Sequence, residues 1–185
     1  MKLENGRPKK SDNRVLTEIA VYDMLDQLEI PFERVDHDAA FTMEACAAID
    51  KVLYPAVICK NLFLCNSQKT KFYLLMIKED KKFITKDISK QIGSARLSFA
   101  PEEFMVEYLR TPAGSASIMG LMNDKEKRVQ LLVDEEVLCA EYVGCHPCIN
   151  TSSLRMKVAD VFEKFLPAVG HNYMKVVLKN EEVAG

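Results

Sequence analysis

The chain has 185 residues, of which 48% are hydrophobic, and its formal net charge is −2. This length and apolar content fit one globular domain, and the weak net charge excludes binding of polyanions through the overall field of the protein. No apolar run reaches the roughly 20 residues needed to cross a bilayer, and the polar N-terminus lacks the apolar core of a signal peptide. We therefore expect a cytoplasmic protein that does not use a membrane.

The N-terminal residues 1–13 are polar and mildly basic, so we expect a flexible leader there and a single domain over residues 14–180. Apolar residues at three- and four-residue steps predict a helix that begins after a cap at Ser11 or Asp12 and reaches Gln27.

Apolar periodicity predicts interleaved strands and helices through the rest of the chain. The predicted strands are 31–36, 56–64, 72–77, 97–99, 129–133, 151–154 and 175–178. The predicted helices are 45–49 with Thr42 as N-cap, 86–92 ending at Gly93, 101–109 and 158–166. Residues 139–148 are predicted to be irregular. Because the order has no strict βαβα repeat, it favours an α/β (α+β) fold with a mixed sheet surrounded by helices.

Small residues dominate segment 111–123, which contains Gly114 and Gly120. Glycine lets a ligand approach main-chain N–H groups closely, so this loop can present a row of donors to an acyl or phosphate oxygen. An ordinary surface turn has the same composition, and both interpretations stay open.

Lys60 interrupts the apolar run at 56–64 and must reach either water or an anionic partner. At a strand edge its ammonium group is simply solvated. Alternatively it holds a phosphate or a ribose hydroxyl at the mouth of a pocket, with Asn61 beside it as donor and acceptor.

His146 precedes Pro147, which pushes its backbone toward an extended conformation and favours a rigid turn that presents the imidazole. Such a side chain can orient a substrate amine or carbonyl, or hold a water molecule. We interpret His37 and His171 as surface histidines.

Six cysteines are present, and without a signal peptide a disulfide framework is not expected. Cys46, Cys59 and Cys65 lie in apolar runs and are interpreted as small buried residues. Cys145 and Cys148 form a Cys-x-x-Cys pair, which leaves thiol–disulfide exchange or metal binding open. Thiol–disulfide exchange needs a helix that begins at the pair, but residues 149–153 have a strand- or loop-like composition. A zinc site needs a second pair of ligands, and the sequence has none at the standard spacing.

The lysines between Lys69 and Lys90 are interrupted by acidic residues. They form either a solvated face or a patch that meets a nucleic-acid backbone. The chain has no Gly-x-Ser-x-Gly elbow, no Walker loop and no dinucleotide fingerprint.

Four sets of residues resemble motifs of the YbaK-like aminoacyl-tRNA editing domains, which include the insertion domain of bacterial prolyl-tRNA synthetase and the freestanding prolyl-tRNA deacylases. They are Lys60 to Leu64; Thr111 to Ser117 with Gly120 to Asn123; Asp134; and His146-Pro147 with Asn150-Thr151. The similarity runs from about Val15 to Leu178 and includes no synthetase domain, which is typical of a trans-acting member. Ile118 departs from the pattern, because many relatives have proline there.

This resemblance implies a mostly antiparallel sheet and hydrolysis of a mischarged tRNA, with alanine on the proline tRNA as the expected substrate. It implies that Lys60 anchors the terminal adenosine, that Gly114 positions the ester and the water, and that His146 fixes the aminoacyl end and limits its size. The further residues expected at the substrate are Phe41, Thr42, Asn61, Ser115, Ala116, Ser117 and Asn150.

An aminoacyl ester is already activated, so backbone donors and a placed water suffice, and we expect neither a metal nor another cofactor. The expected partners are the 3′ acceptor end of a mischarged tRNA and prolyl-tRNA synthetase. Two alternatives remain: a non-catalytic module that binds aminoacyl-tRNA or an amino acid, which Ile118 keeps open, and a thiol redox or metal protein.

Overall fold

The structure is a computed structural model that describes residues 1–10, 13–39 and 43–179. The strands are β1 (Glu4–Asn5), β2 (Phe32–Asp36), β3 (Val57–Asn66), β4 (Phe72–Lys78), β5 (Leu97–Phe99), β6 (Val129–Asp134), β7 (Tyr142–Cys145), β8 (Ser152–Lys157) and β9 (Tyr173–Val176). The helices are α1 (Leu16–Gln27), α2 (Met43–Leu53), α3 (Thr85–Gln91), α4 (Glu102–Leu109), α5 (Glu135–Leu138) and α6 (Leu166–Ala168). A 3₁₀ helix (Ile118–Asn123) and a π-helical segment (Asp160–Phe165) complete the list.

The strands within the described ranges form one sheet in the order β1-β2-β8-β7-β3-β4-β6-β9, and β5 also pairs with β3. Five of the strand pairs are antiparallel, and the pairs β3–β7, β4–β6 and β6–β9 are parallel. This confirms the expected mixed, mostly antiparallel sheet with helices around it.

Strand β4 lies inside the sheet, between β3 and β6, and is buried on both faces. Leu74 and Met76 belong to the larger hydrophobic cluster, whereas Leu75 and Ile77 belong to a second cluster on the opposite face. Successive side chains of a strand point to opposite faces, so a continuous apolar run is what a doubly covered strand requires.

The long strand β3 is covered only at its two ends along the edge opposite β4. Strand β7 pairs with it at Val57 and Ile58, and β5 pairs with it from Leu64 to Asn66. The middle of this edge therefore has no neighbouring strand among the described residues, and this gap determines where the site lies.

The first residues of the chain differ from the predicted flexible leader. Glu4 and Asn5 pair with β2, and the Arg7 guanidinium lies 2.8 Å from the Asp23 carboxylate on α1. Arg34, whose side chain is 3% exposed, binds Glu4 at 2.7 Å. Long-range ion pairs thus attach residues 4–7 to the domain, and local polarity gives no sign of them.

Segment 139–148 was predicted to be irregular, but Tyr142–Cys145 forms β7 between β3 and β8. The tight packing of Gly144 explains why the apolar pattern is weak, because a Cβ there would lie 2.6 Å from the Ile58 side chain. The last strand, β9, lies two residues before its predicted position because it pairs in parallel with β6.

The remaining helix predictions are close to the structure, except that 158–166 contains the π-helical segment. Helix α1 begins at Leu16 with Val15 in the N-cap position, so its predicted start after Ser11 or Asp12 was wrong. Ser11, Asp12 and Thr42 themselves lie outside the described residues. None of the helices in the described ranges combines the length and apolarity needed to span a bilayer.

Candidate functional site

A cavity of about 460 Å³ occupies the gap beside β3, between β7 and β5. Lys60, Gly114 and His146, which lie far apart in the sequence, all line it. Of the residues expected at the substrate, Asn61, Ala116 and Asn150 line it as well. Phe41 and Thr42 lie outside the described residues.

Lys60 lies in the middle of β3, where its ammonium group donates a hydrogen bond to the main-chain carbonyl of Glu79 at 2.9 Å. This contact places the cationic end beside the cavity and is made to a neutral acceptor. The charge of Lys60 therefore stays available to an anionic ligand.

The main chain of Asn61 faces the gap. Glu79 N–H donates to Ile58 O, and Asn66 N–H donates to Lys71 O, so the even-numbered residues of β3 direct their backbone groups toward β4. Ala100 N–H donates to Phe63 O on the opposite edge, and by alternation the N–H and C=O of Asn61 point to that edge too. The side-chain Oδ1 of Asn61 is buried without a partner among the described residues.

The glycine loop forms the wall opposite β3. Gly114 has φ +80°, a left-handed conformation that side chains disfavour, although a Cβ there would meet only the Asn150 amide at 3.9 Å. Ala113 N–H already donates to the Glu102 carboxylate, and Ser115 N–H donates to Pro112 O. The amides of Gly114 and Ala116 are therefore the loop groups best suited to meet a ligand.

Ser115 and Ser117, also expected at the substrate, do not line the cavity. Both are buried, and the Ser115 hydroxyl donates to Pro112 O at 3.1 Å. The Ser117 hydroxyl donates to the His146 carbonyl oxygen and accepts from Met119 N–H, so it caps the 3₁₀ helix. Their hydroxyls hold the loop in shape.

The His146 ring is oriented by the start of β8. Its Nδ1 lies 3.0 Å from Ser152 O, and a carbonyl can only accept, so Nδ1 carries the proton. Nε2 is thereby left as an acceptor. Burial lowers the pKa of His146 more than the Ser152 carbonyl raises it, and the nearby His37 lowers it further. The neutral ring is favoured.

His37 and His171 were interpreted as surface histidines, but neither is fully exposed. His37 follows β2 and lines the cavity, with its ring centroid 6.4 Å from that of His146. The His171 side chain is 3% exposed, and its Nε2 lies 3.2 Å from Asp124 O. His37 is half-buried at the end of β2 and His171 is almost fully covered, and neither position can be deduced from the polarity of the residue alone.

Sequence reasoning missed an acidic pair in the cavity wall, formed by Asp50 on α2 and Glu79 after β4. Burial, together with the charge of Glu79 and a hydrogen bond to it, raises the pKa of Asp50 to about 6. One signal was available: Asp50 directly follows the buried Ile49 on the apolar side of a short helix.

The cysteines are free thiols, and Cys145 and Cys148 are buried. Burial raises the pKa of each of these two thiols to about 12, which disfavours the thiolate that exchange or metal binding needs. Cys65 is buried as predicted, whereas Cys46 and Cys59 are half-buried and line the cavity. Within the described part of the chain, no three His, Cys, Asp or Glu side chains are grouped as metal ligands would be.

The lysine-rich region is partly neutralised by ion pairs. Lys81 is 2% exposed and binds Asp134 at 2.9 Å and Glu136 at 2.8 Å, and Lys78 also pairs with Glu136. Asp134, one of the residues that carried the family resemblance, therefore holds the end of β6 and does not line the cavity. Lys86 and Lys90 remain exposed.

Known proteins are similar to this chain in sequence. The family model described as "Aminoacyl-tRNA editing domain" matches residues 37–164. The prolyl-tRNA editing protein ProX of Acetoanaerobium sticklandii is 31% identical over 159 residues, which cover 86% of this chain and 96% of that protein. Prolyl-tRNA synthetase associated domain-containing protein 1 of Mus musculus is 32% identical over 152 residues, or 80% of this chain and 88% of that protein.

The fold is also similar to solved structures. One, described as a candidate trans-editing enzyme for prolyl tRNA synthetase, has a TM-score of 0.67 at 15% identity and covers 90% of this chain and 98% of its own. The matched family model spans well over half of the chain, including Lys60, Gly114 and His146. The chain belongs to the aminoacyl-tRNA editing domain family.

Proposed function

We propose that the protein is a trans-acting aminoacyl-tRNA deacylase that hydrolyses the ester of a mischarged proline tRNA, with alanine as the amino acid removed. The observation that carries this proposal is the single cavity shared by Lys60, Gly114 and His146. The names of its relatives, which refer to prolyl-tRNA editing and to prolyl-tRNA synthetase, support the choice of tRNA.

In this proposal each group has a chemical task. The Lys60 ammonium binds a phosphate or a ribose hydroxyl of the terminal adenosine, since its partner among the described residues is the neutral Glu79 carbonyl. The amides of Gly114 and Ala116 stabilise the oxyanion that develops when water attacks the ester. The neighbouring ribose hydroxyl of the substrate assists, so no serine or cysteine nucleophile is needed.

His146 orients the aminoacyl end. Its Nε2 is an acceptor, because Nδ1 donates to Ser152 O, and it therefore suits the substrate ammonium group or the attacking water. The lowered pKa of His146 keeps this lone pair free near neutral pH. A protonated ring would repel the ammonium group.

Selection of alanine over proline depends on pocket size. One or two methylene groups change binding by only about 1–3 kcal/mol in an adaptable apolar pocket, so exclusion of proline needs rigid walls. Ile58 and Gly144 pack closely on one wall, and Ile118 is fully buried behind the glycine loop. Packing and the Ser117 cap thus hold the loop without the proline that many relatives have at position 118.

A panel of mischarged tRNAs tests the proposal. Proline tRNA charged with alanine, serine or proline is incubated with the protein, and release of each amino acid is followed. We expect alanine to be released fastest and proline to stay attached. Tight binding of Ala-tRNA(Pro) without hydrolysis would instead support a binding module, and preferential release of another amino acid would contradict the alanine specificity. Association with prolyl-tRNA synthetase is proposed as well and is testable by co-purification.

A further inference from the structure

His37, Ser153 and His146 form a connected row along one wall of the cavity. Strands β2 and β8 are antiparallel, and the His37 N–H donates to Thr151 O just beyond their last pair. This pairing places the His37 Nε2 3.0 Å from the Ser153 hydroxyl. Ser153 Oγ in turn lies 3.5 Å from the His146 Nδ1.

Main-chain carbonyl groups beside the two histidines determine which ring nitrogen of each carries a proton. His37 Nδ1 lies 2.8 Å from Asp38 O, and a carbonyl only accepts, so Nδ1 carries a proton and Nε2 of the neutral ring is an acceptor. The Ser153 hydroxyl must then donate to His37. It can only accept from the His146 Nδ1–H, which also donates to Ser152 O at 3.0 Å.

We propose that His37 is a positioning residue that acts through Ser153. By drawing the Ser153 proton toward itself, it keeps Ser153 an acceptor and so adds to the Ser152 carbonyl in favouring the Nδ1–H tautomer of His146, with Nε2 facing the cavity. The consequence for catalysis rests on the proposed function, whereas the tautomer does not.

Loss of the His37 acceptor releases the Ser153 hydroxyl. The hydroxyl can then donate toward His146 Nδ1 and compete with the Ser152 carbonyl, which still accepts from Nδ1–H, so part of the population shifts to the opposite tautomer, with the proton on Nε2. That proton would point into the cavity, where Nε2 could no longer accept a hydrogen bond from a water or an ammonium group.

Ring nitrogen NMR of the full-length protein without substrate tests the tautomer directly. The chain has three histidines, so their ring signals can be assigned with single variants. We expect His146 to be the Nδ1–H tautomer in the wild type and in His37→Gln, whose amide oxygen replaces the Nε2 acceptor. His37→Ala should raise the fraction of the Nε2–H tautomer. A predominantly Nε2–H ring in the wild type, or an unchanged ring in His37→Ala, would overturn the inference.

Deacylation of Ala-tRNA(Pro) gives a second readout. We expect kcat to fall about tenfold in His37→Ala, a change that corresponds to the free energy of one hydrogen bond, and to recover in His37→Gln. Equal loss in both variants would contradict positioning through Ser153. If His37→Ala does not fold, Ser153→Ala removes the same link and should lower kcat similarly. If the wild type releases no amino acid, the proposed function fails, and the ring tautomer still decides this inference.

Discussion

The hydroxyl oxygen of Ser117 lies 2.5 Å from the main-chain carbonyl oxygen of His146 and donates a hydrogen bond to it. Ser117 is completely buried. This contact joins the glycine loop to the turn that presents His146, two segments separated by about thirty residues, so it fixes the distance between two walls of the cavity.

We expect Ser117→Ala to lower the free energy of unfolding by about 1–3 kcal/mol, because the His146 carbonyl loses its buried donor. Urea unfolding measures this change, and Ser67→Ala in the exposed hairpin turn is the matched control, expected to be neutral. Equal stability of the two variants would show that the contact contributes little.

The buried ion pair between Lys81 and Asp134 gives a second prediction about stability. Lys81→Met leaves the Asp134 carboxylate buried and unpaired, and such changes cost about 3–5 kcal/mol. Lys86→Met removes the charge of an exposed lysine five residues after Lys81 and should change stability by less than about 0.5 kcal/mol. A mild effect of Lys81→Met in thermal or chemical unfolding would mean that Asp134 is paired by another group.

The raised pKa of Asp50 predicts that the stability difference between the wild type and Asp50→Asn depends on pH. Its pKa is raised to about 6 by burial and by Glu79, so the folded state holds this proton at pH values where the unfolded chain has lost it. Stability from this group is therefore present at pH 4 and lost as the pH rises toward 6. Asp50→Asn removes the effect.

The free energies of unfolding of wild type and Asp50→Asn should be compared at pH 4.5 and pH 7.5. We expect the variant to gain relative to the wild type at the higher pH, and Glu79→Gln, which removes the same neighbouring charge, to shift in the same direction. A constant difference between wild type and Asp50→Asn would contradict the interaction of the two carboxyl groups.

Thiol reactivity separates the structural role of Cys145 and Cys148 from a redox role. Both are buried with raised pKa values, whereas Cys139 is exposed. A thiol-specific reagent at pH 8 should therefore modify Cys139 fastest in the native protein, and Cys139→Ser should remove that phase. Rapid oxidation to a Cys145–Cys148 disulfide would instead support thiol–disulfide exchange.

The elements with strong local patterns could be predicted from the sequence. The continuous apolar run of β4 and the glycine stop after α3 need only short-range information, and the structure has both. Strand β7 could not be predicted, because Gly144 and Cys145 lack alternation and are ordered by pairing with β3 and β8. Long-range pairing also joins Glu4 and Asn5 to β2.

Some residues of the candidate site could likewise be predicted from the sequence, and others could not. Lys60 and His146 are conspicuous because each is polar in an otherwise apolar or rigid setting. His37, Asp50 and Glu79 are inconspicuous, since their place in the cavity wall depends on how β2, α2 and β4 end near one another. The sequence suggested that Ser115 and Ser117 bind the substrate. In the structure their hydroxyl groups donate hydrogen bonds to main-chain carbonyls of the protein.

Single-turnover hydrolysis of Ala-tRNA(Pro) tests the central claim that Lys60 and His146 act together in one cavity. The control is Lys175→Ala, which removes an exposed lysine from β9 at the far edge of the sheet. We predict that Lys60→Ala and His146→Ala each slow hydrolysis at least about tenfold, the cost of one or more lost hydrogen bonds, while Lys175→Ala retains the wild-type rate. Wild-type rates in both Lys60→Ala and His146→Ala would contradict the account.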